Sequence, residues 1–172
     1  GVHANTESGG NGHLGQSLWL REIHGREEGP PPPVDLVAER RNGEFVRAEI
    51  ARGAVTAVHD VSDGGIAVAI AEMALAGRIG ATWVLDDPES YAAAAFGEDQ
   101  GRYIVTTTDP RFADRARKGG IPCQSLGRTG GNAITCGMNG AGTRARAVSL
   151  ADLRAAHEGF FPKLMGADAA LA

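Results

Sequence analysis

Aromatic side chains are scarce in this 172-residue chain, which has five Phe, two Tyr and two Trp. Its interior must therefore be packed by small and aliphatic residues. Cysteine is scarcer still. Cys123 and Cys136 have no CxxC spacing and no companion histidines, which excludes a disulfide framework or a zinc cage built on them. They read as reduced thiols. No apolar run approaches the roughly 18 residues that span a bilayer, and the stretch YAAAAF at Tyr91–Phe96 is far too short. The chain does not open on a basic and apolar leader, so a cytoplasmic protein is expected. Nor is there a surplus of positive charge. Seventeen basic residues face 21 acidic ones for a net charge of -4, and pairs such as Arg40-Arg41 and Arg144/Arg146 are scattered, which excludes nucleic acid as the main partner.

Glycine, in contrast, is abundant at 25 residues, and 42% hydrophobic with 22% charged residues is ordinary for a globular domain. The length suits one domain that buries roughly two thirds of its unfolded surface. Residues 1–12 are polar, glycine-rich and without period, and are expected to be a mobile arm that carries no fold information. Residues 13–168 form the expected domain and residues 169–172 a tail. Within the domain, Leu14–Ile23 predicts a short helix stopped by Gly25. Pro30–Pro33 then enforce an extended spacer. Asp35–Arg52 predicts an amphipathic helix that buries Leu36, Phe45, Val46 and Ile50.

Beyond it, Val55–Val58 is β-prone and runs into His59-Asp60. Ile66–Ala76 is apolar nearly all round apart from Glu72, and so predicts a helix buried on several sides and closed by Gly77. Ile79–Leu85 reads as a strand broken by Asp86-Asp87-Pro88, Glu89–Phe96 as a helix, and Tyr103–Thr108 as a strand. Pro110 opens a helix to about Lys118. Pro122–Leu126 and Asn132–Cys136 read as strands joined by a hairpin connection at Gly127–Gly131. Ala145–Val148 can add one more strand, and Ser149 with Asp152 caps a final helix. Strands alternating with helices predict an α/β (α+β) fold, a mixed sheet covered by helices.

The strongest chemical signal is HDVSDGG, His59–Gly65. A strand that runs into paired glycines and then a helix brings main-chain N–H groups to one exposed point, where a phosphate can bind. It is neither GxxxxGK[ST] nor GxGxxG. Asp63 stands where an N-cap belongs, so its carboxylate would occupy the helix's donors and repel an anion. His59 and Asp60 are neighbours in a strand and should point to opposite faces. His59, Asp60, Ser62, Asp63, Gly64 and Gly65 are thus candidate ligand contacts, with a capped structural turn as the other reading. The loop Glu98-Asp99-Gln100 with Arg102 is a second candidate that can present acceptors and an amide to a polar ligand. No GxSxG elbow, metal cage or Cys-His pair is present, so neither a catalytic residue nor a metal ligand is assigned.

HDVSDGGIAVAIAEMALAG (His59–Gly77) resembles the synthetase subunits of the phosphoribosylformylglycinamidine synthase family. The resemblance extends to HLGQSLWLREIHGREEG (His13–Gly29), PPPVDLVAERRNGEFVR (Pro31–Arg47), FGEDQGRYIV (Phe96–Val105) and LRAAHEGFFP (Leu153–Pro162). It implies the second copy of the C-terminal module shared by the aminoimidazole ribonucleotide synthase superfamily. The implied enzyme is an ATP- and Mg²⁺-dependent ligase of purine biosynthesis, in which ATP phosphorylates the amide oxygen of formylglycinamide ribonucleotide and ammonia displaces phosphate. Implied partners are upstream domains of the same polypeptide, a glutaminase subunit and a small accessory subunit. In the family the catalytic histidines and most magnesium ligands lie in domains this chain lacks, so the chain alone is expected to be inactive and open to self-association. Glu98-Asp99-Gln100 matches the place of an ESQ-type substrate motif of the first copy, with Asp for Ser. A non-catalytic assembly module, or another superfamily member such as selenophosphate synthetase or a hydrogenase maturation factor, is the alternative.

Overall fold

A computed structural model of the chain describes residues 1–4, 12–85, 90–138 and 145–166. The strand break expected at Asp86–Pro88, the start of the helix expected from Glu89 and the expected tail at 169–172 lie outside the described residues, as do residues 5–11 of the expected arm.

The elements run β1 (Val2–Ala4), α1 (Leu18–His24), α2 (Leu36–Ala51), β2 (Ala57–Val61), α3 (Gly65–Gly77), β3 (Ala81–Leu85), α4 (Tyr91–Phe96), β4 (Arg102–Thr106), α5 (Phe112–Lys118), β5 (Gln124–Thr129), β6 (Ala133–Met138), β7 (Arg146–Ser149) and α6 (Leu150–Leu164). All seven strands join one sheet in the order β2-β4-β1-β5-β3-β6-β7. Every neighbouring pair is antiparallel except β3 and β6. The sheet is mixed and carries helices on both faces, as the alternation of elements predicted.

Side chains alternate across the pleat, and β4 divides the core accordingly. Ile104 joins Val61, Ile66, Ile70, Trp83 and Leu126 under α3 and α4. Its neighbour Val105 faces the other way, against Val46 of α2 and Phe112 of α5. The aliphatic and small-residue interior predicted from the scarcity of aromatics is what fills the α3 side, where Ala69, Ala81 and Ala95 sit beside these residues. α3 is buried at Gly65, Ile66, Ala69, Ile70 and Ala74, on several sides as its composition requires. It ends at Gly77, and Arg78 takes the left-handed conformation beyond it (φ 52°).

Three expectations are corrected. The opening residues are no arm: Val2–Ala4 pair with β4 on one side and β5 on the other, and Val2 is 3% exposed in the core. Three residues are too few to show a strand period, and the polar stretch after them concealed the strand. In α2 the buried positions are Asn42, Val46 and Glu49, while Leu36 and Ile50 are exposed. The inward stripe holds two polar residues, Asn42 donating to the Gly101 carbonyl oxygen at 3.1 Å and Glu49 accepting from Arg115, so apolar periodicity alone could not locate it. Finally, β5 and β6 are not a hairpin, because β3 lies between them. Their connection wraps the start of β3: Gly80 donates to the Gly131 carbonyl oxygen at 2.9 Å and accepts from Gly130 at 2.7 Å.

The expected caps hold elsewhere. Gly25 ends α1 in the left-handed region (φ 62°), and the Ser149 hydroxyl accepts from the Asp152 N–H while donating to its carboxylate. α6 packs on α3, where Arg154 donates to the Leu75 carbonyl oxygen at 3.1 Å. Among the described residues no helix is long and apolar enough to cross a membrane.

Candidate functional site

The turn at Ser62–Gly65 joins β2 to α3, and its conformation explains its glycines. Gly64 (φ 78°) and Gly65 (φ 69°) both occupy the left-handed region. A Cβ on Gly65 would lie 2.7 Å from the Gly97 carbonyl oxygen. The paired glycines thus let this turn lie directly on the loop that follows α4, and the two stretches singled out in the sequence are brought together.

What closes the contact is Glu98. Its Oε1 accepts from the Gly64 N–H at 2.8 Å and from the Leu18 N–H, at the start of α1, also at 2.8 Å. One carboxylate oxygen therefore caps two helices at once, with its charge against the positive ends of both. Asp63 does not do this. The N-cap position of α3 is Gly64, which has no side chain to accept, and Asp63 is exposed. The carboxylate expected there from Asp63 comes instead from Glu98, 34 positions beyond Gly64.

The rest of the loop is also internally engaged. Asp99 Oδ2 accepts from the His13 N–H at 3.2 Å and lies 3.2 Å from Arg102 Nη2, while the Glu98 N–H donates to the His13 carbonyl oxygen at 3.0 Å. Arg102 is buried and also donates to the carbonyl oxygens of Asp99 and Gly97. Burial pushes its guanidinium pKa down, and Asp99 opposes that shift. Gln100 is exposed and donates weakly to Glu98. His59 reaches inward, with Nε2 3.1 Å from Glu72 Oε2 on α3 and Nδ1 2.5 Å from the Asp60 carbonyl oxygen. The Asp60 carboxylate is exposed, its Oδ1 3.8 Å from that ring. Ser62 accepts from the Gly65 N–H through its carbonyl and is otherwise at the surface.

Sequence reasoning missed the third side of this assembly. His13, before α1, and Leu18, its first residue, together supply two amides and a carbonyl to the loop. The signal was present in Ser17, whose side chain caps α1 by accepting from Leu20, but a cap says nothing about a partner 80 residues away.

A wide groove of about 680 Å³ lies on the other side of β2. Val58 and Tyr103 form part of its floor, with Arg47 on the α2 wall and Asp60 on the strand wall. Away from both places, burial raises the thiol pKa values of Cys123 and Cys136. The Tyr91 phenol is pushed up to about 12, first by burial and then by its hydrogen bond to Cys136. Among the described residues no group of three or more His, Cys, Asp or Glu side chains could hold a metal ion.

Comparison with known proteins gives this geometry a context. A family model described as AIR synthase related protein, C-terminal domain, matches residues 6–135. A phosphoribosylformylglycinamidine synthase subunit PurL from Parvibaculum lavamentivorans is 54% identical over 165 residues, covering 93% of this chain and 22% of that protein. The corresponding subunit from Sinorhizobium fredii is 48% identical and covers 97% of this chain and 22% of its own length. The solved structure of T. maritima PurL complexed with FGAR superimposes with a TM-score of 0.68 at 20% identity, covering 88% of this chain and 27% of that one, a likeness of fold. The chain spans about a fifth of the length of the curated relatives it matches.

Proposed function

The chain belongs to the AIR synthase related protein C-terminal domain family, and from that premise we propose that it is the C-terminal module of the synthetase subunit of a phosphoribosylformylglycinamidine synthase. The observation that carries this reading is 54% identity to a synthase subunit across nearly the whole chain. The activity belongs to the full-length protein: formylglycinamide ribonucleotide, glutamine and ATP are converted to formylglycinamidine ribonucleotide in the cytoplasm, with Mg²⁺, a glutaminase subunit and a small accessory subunit taking part.

The described residues of this chain do not fit a seat for the metal, since no acidic or histidine cluster among them can hold one. They fit a phosphate poorly as well, because the Gly64 N–H at the head of α3 is taken by Glu98. No step of the reaction is therefore placed on these residues, and the module acts by shape. In this reading Glu98, Asp99, Arg102, Gly64 and Gly65 hold the turn and the loop together. The exposed Asp60, Ser62, Asp63 and Gln100 are the members of the set left able to meet a ligand, with His59 behind them.

Two measurements test the proposal. Purine auxotrophy caused by loss of the synthase should be relieved by the full-length polypeptide that contains this chain and not by residues 1–172 alone; growth supported by the short chain would sink the module reading. A calorimetric titration of the short chain with ADP and Mg²⁺ addresses the ligand. Specific binding abolished by Asp63→Ala would move these residues from support to contact.

A further inference from the structure

The end of α6 leaves the largest cluster of exposed apolar side chains along the described helices. Phe160, Phe161, Leu164 and Met165 are 59%, 69%, 66% and 80% exposed. Their spacing puts them on one side of the helix, and the two phenyl rings meet edge to face at 5.3 Å. α6 contributes no buried residue of its own. It is held through its first half, by the Ser149–Asp152 cap and by Arg154 on the Leu75 carbonyl, while its second half carries the apolar stripe. Pro162 stands in the middle of that stripe, where it has no N–H for the Glu158 carbonyl and so weakens the last turn. A weakened turn with four large apolar side chains facing water is poorly placed in isolation.

Three observations narrow what covers it. The family model ends at residue 135, before α6, whereas the match to the Sinorhizobium fredii synthase subunit covers 97% of the chain and leaves too few residues unmatched to omit the stripe. The segment that carries the stripe thus lies beyond the match to the family model and within the match to a synthase subunit. That subunit is about five times longer than its overlap with this chain. The third observation is area. Four such side chains at these exposures offer on the order of 500 Å², well below the roughly 800 Å² per partner that a stable complex of two separate molecules needs. A covalently linked neighbour needs far less, because linkage supplies an effective concentration in the millimolar range.

We infer that the stripe Phe160, Phe161, Leu164 and Met165 is an intramolecular docking surface, covered in the full-length synthase by apolar surface of its upstream domains. The inference rests on the proposed synthase function and names the surface through which this module joins the rest of the polypeptide.

The test places a photoactivatable benzophenone amino acid at position 161 of the full-length polypeptide, with the same label at exposed Val37 of α2 as the control. Irradiation should cross-link position 161 to residues of the same polypeptide that lie outside this chain, at least tenfold more efficiently than position 37. Cross-links only within the chain, cross-links to a second copy, or a yield equal to the control would each overturn the inference. A second readout does not depend on the label. Amide exchange in the last turns of α6 should be at least tenfold slower in the full-length protein than in a Phe161→Ser/Leu164→Ser variant of it, and equal rates would count against the contact. Turnover of the unlabelled full-length protein is assayed separately. Activity without the cross-link overturns the docking surface alone, and a cross-linked but inactive protein overturns the synthase assignment alone.

Discussion

Two carboxylates, Glu49 and Glu98, tie the helices of this molecule together, and they do so by different means. Glu49 on α2 is 2% exposed and accepts from two donors of Arg115 on α5, Nε at 2.9 Å from Oε1 and Nη2 at 2.5 Å from Oε2, with Arg52 at 3.4 Å and Arg115 also 2.9 Å from Asp109. Hydrogen bonding to Glu49 raises the Arg115 pKa. Glu98 has no cation in its contacts among the described residues and instead takes the main-chain amides of Leu18 and Gly64. A flexible guanidinium can follow its partner when elements shift slightly. Peptide N–H groups cannot, so Glu98 fixes where α1 and α3 begin relative to each other, while Glu49 is itself a buried charge that the core holds only because Arg115 and Arg52 neutralise it.

Substitutions can separate the two cases. Arg115→Met leaves the buried Glu49 carboxylate with only the longer, exposed Arg52 contact and is expected to lower the thermal midpoint by about 10 °C, the largest effect of the set. Restoring much of that loss by adding Glu49→Gln in a calorimetric melt would show that the stranded charge, and not lost packing, is responsible. Glu98→Ala removes the acceptor from two amides and should cost about 2 kcal/mol in urea unfolding. Glu98→Gln, which keeps an acceptor oxygen, should recover roughly half of this, and full recovery would show that the charge itself adds nothing. Asp63→Ala should lie within about 0.5 kcal/mol of the parent by the same assay, since Asp63 caps nothing. A loss as large as that of Glu98→Ala would reverse the assignment of the cap.

The smallest effect appears only in alkali. Tyr91, pushed up to about 12 by burial, holds its proton more tightly in the folded than in the unfolded state. Its contribution to stability is therefore complete below pH 10 and is lost as the pH rises through about 12. An absorbance titration should show a late phenolate that Tyr91→Phe removes, and no late component in the parent would contradict the buried site.

Much of the architecture was legible because local rules pointed the same way as the tertiary fold. The HDVSDGG turn, the apolar α3, the Gly25 stop and the Ser149 cap are each set by residues within a few positions of one another. What escaped was whatever depends on distant partners. The buried face of α2 is defined by Arg115 and by the carbonyl of Gly101, which turn Asn42 and Glu49 inward. The expected hairpin fails because adjacency in sequence does not make β5 and β6 neighbours in space: β3 lies between them. In the candidate site both halves stand out in the sequence, yet the cap of α3 is expected from Asp63 and comes from Glu98. Nothing local distinguishes a carboxylate that caps its own helix from one that arrives across the fold.

The position of β1 makes the order of synthesis differ from the order of assembly. Val2 stands opposite Thr106 in one neighbouring strand and Gly127 in the other, so the residues of β1 must wait for more than a hundred successors before they have a place. Until then β4 and β5 have no strand between them, and the nascent domain exposes two ladders of unpaired peptide groups to any extended segment nearby. Completion of the sheet is therefore a late, long-range closure. A chain shortened by only its first four residues would keep every helix and every turn described above and still lose the strand that joins the two halves of its sheet.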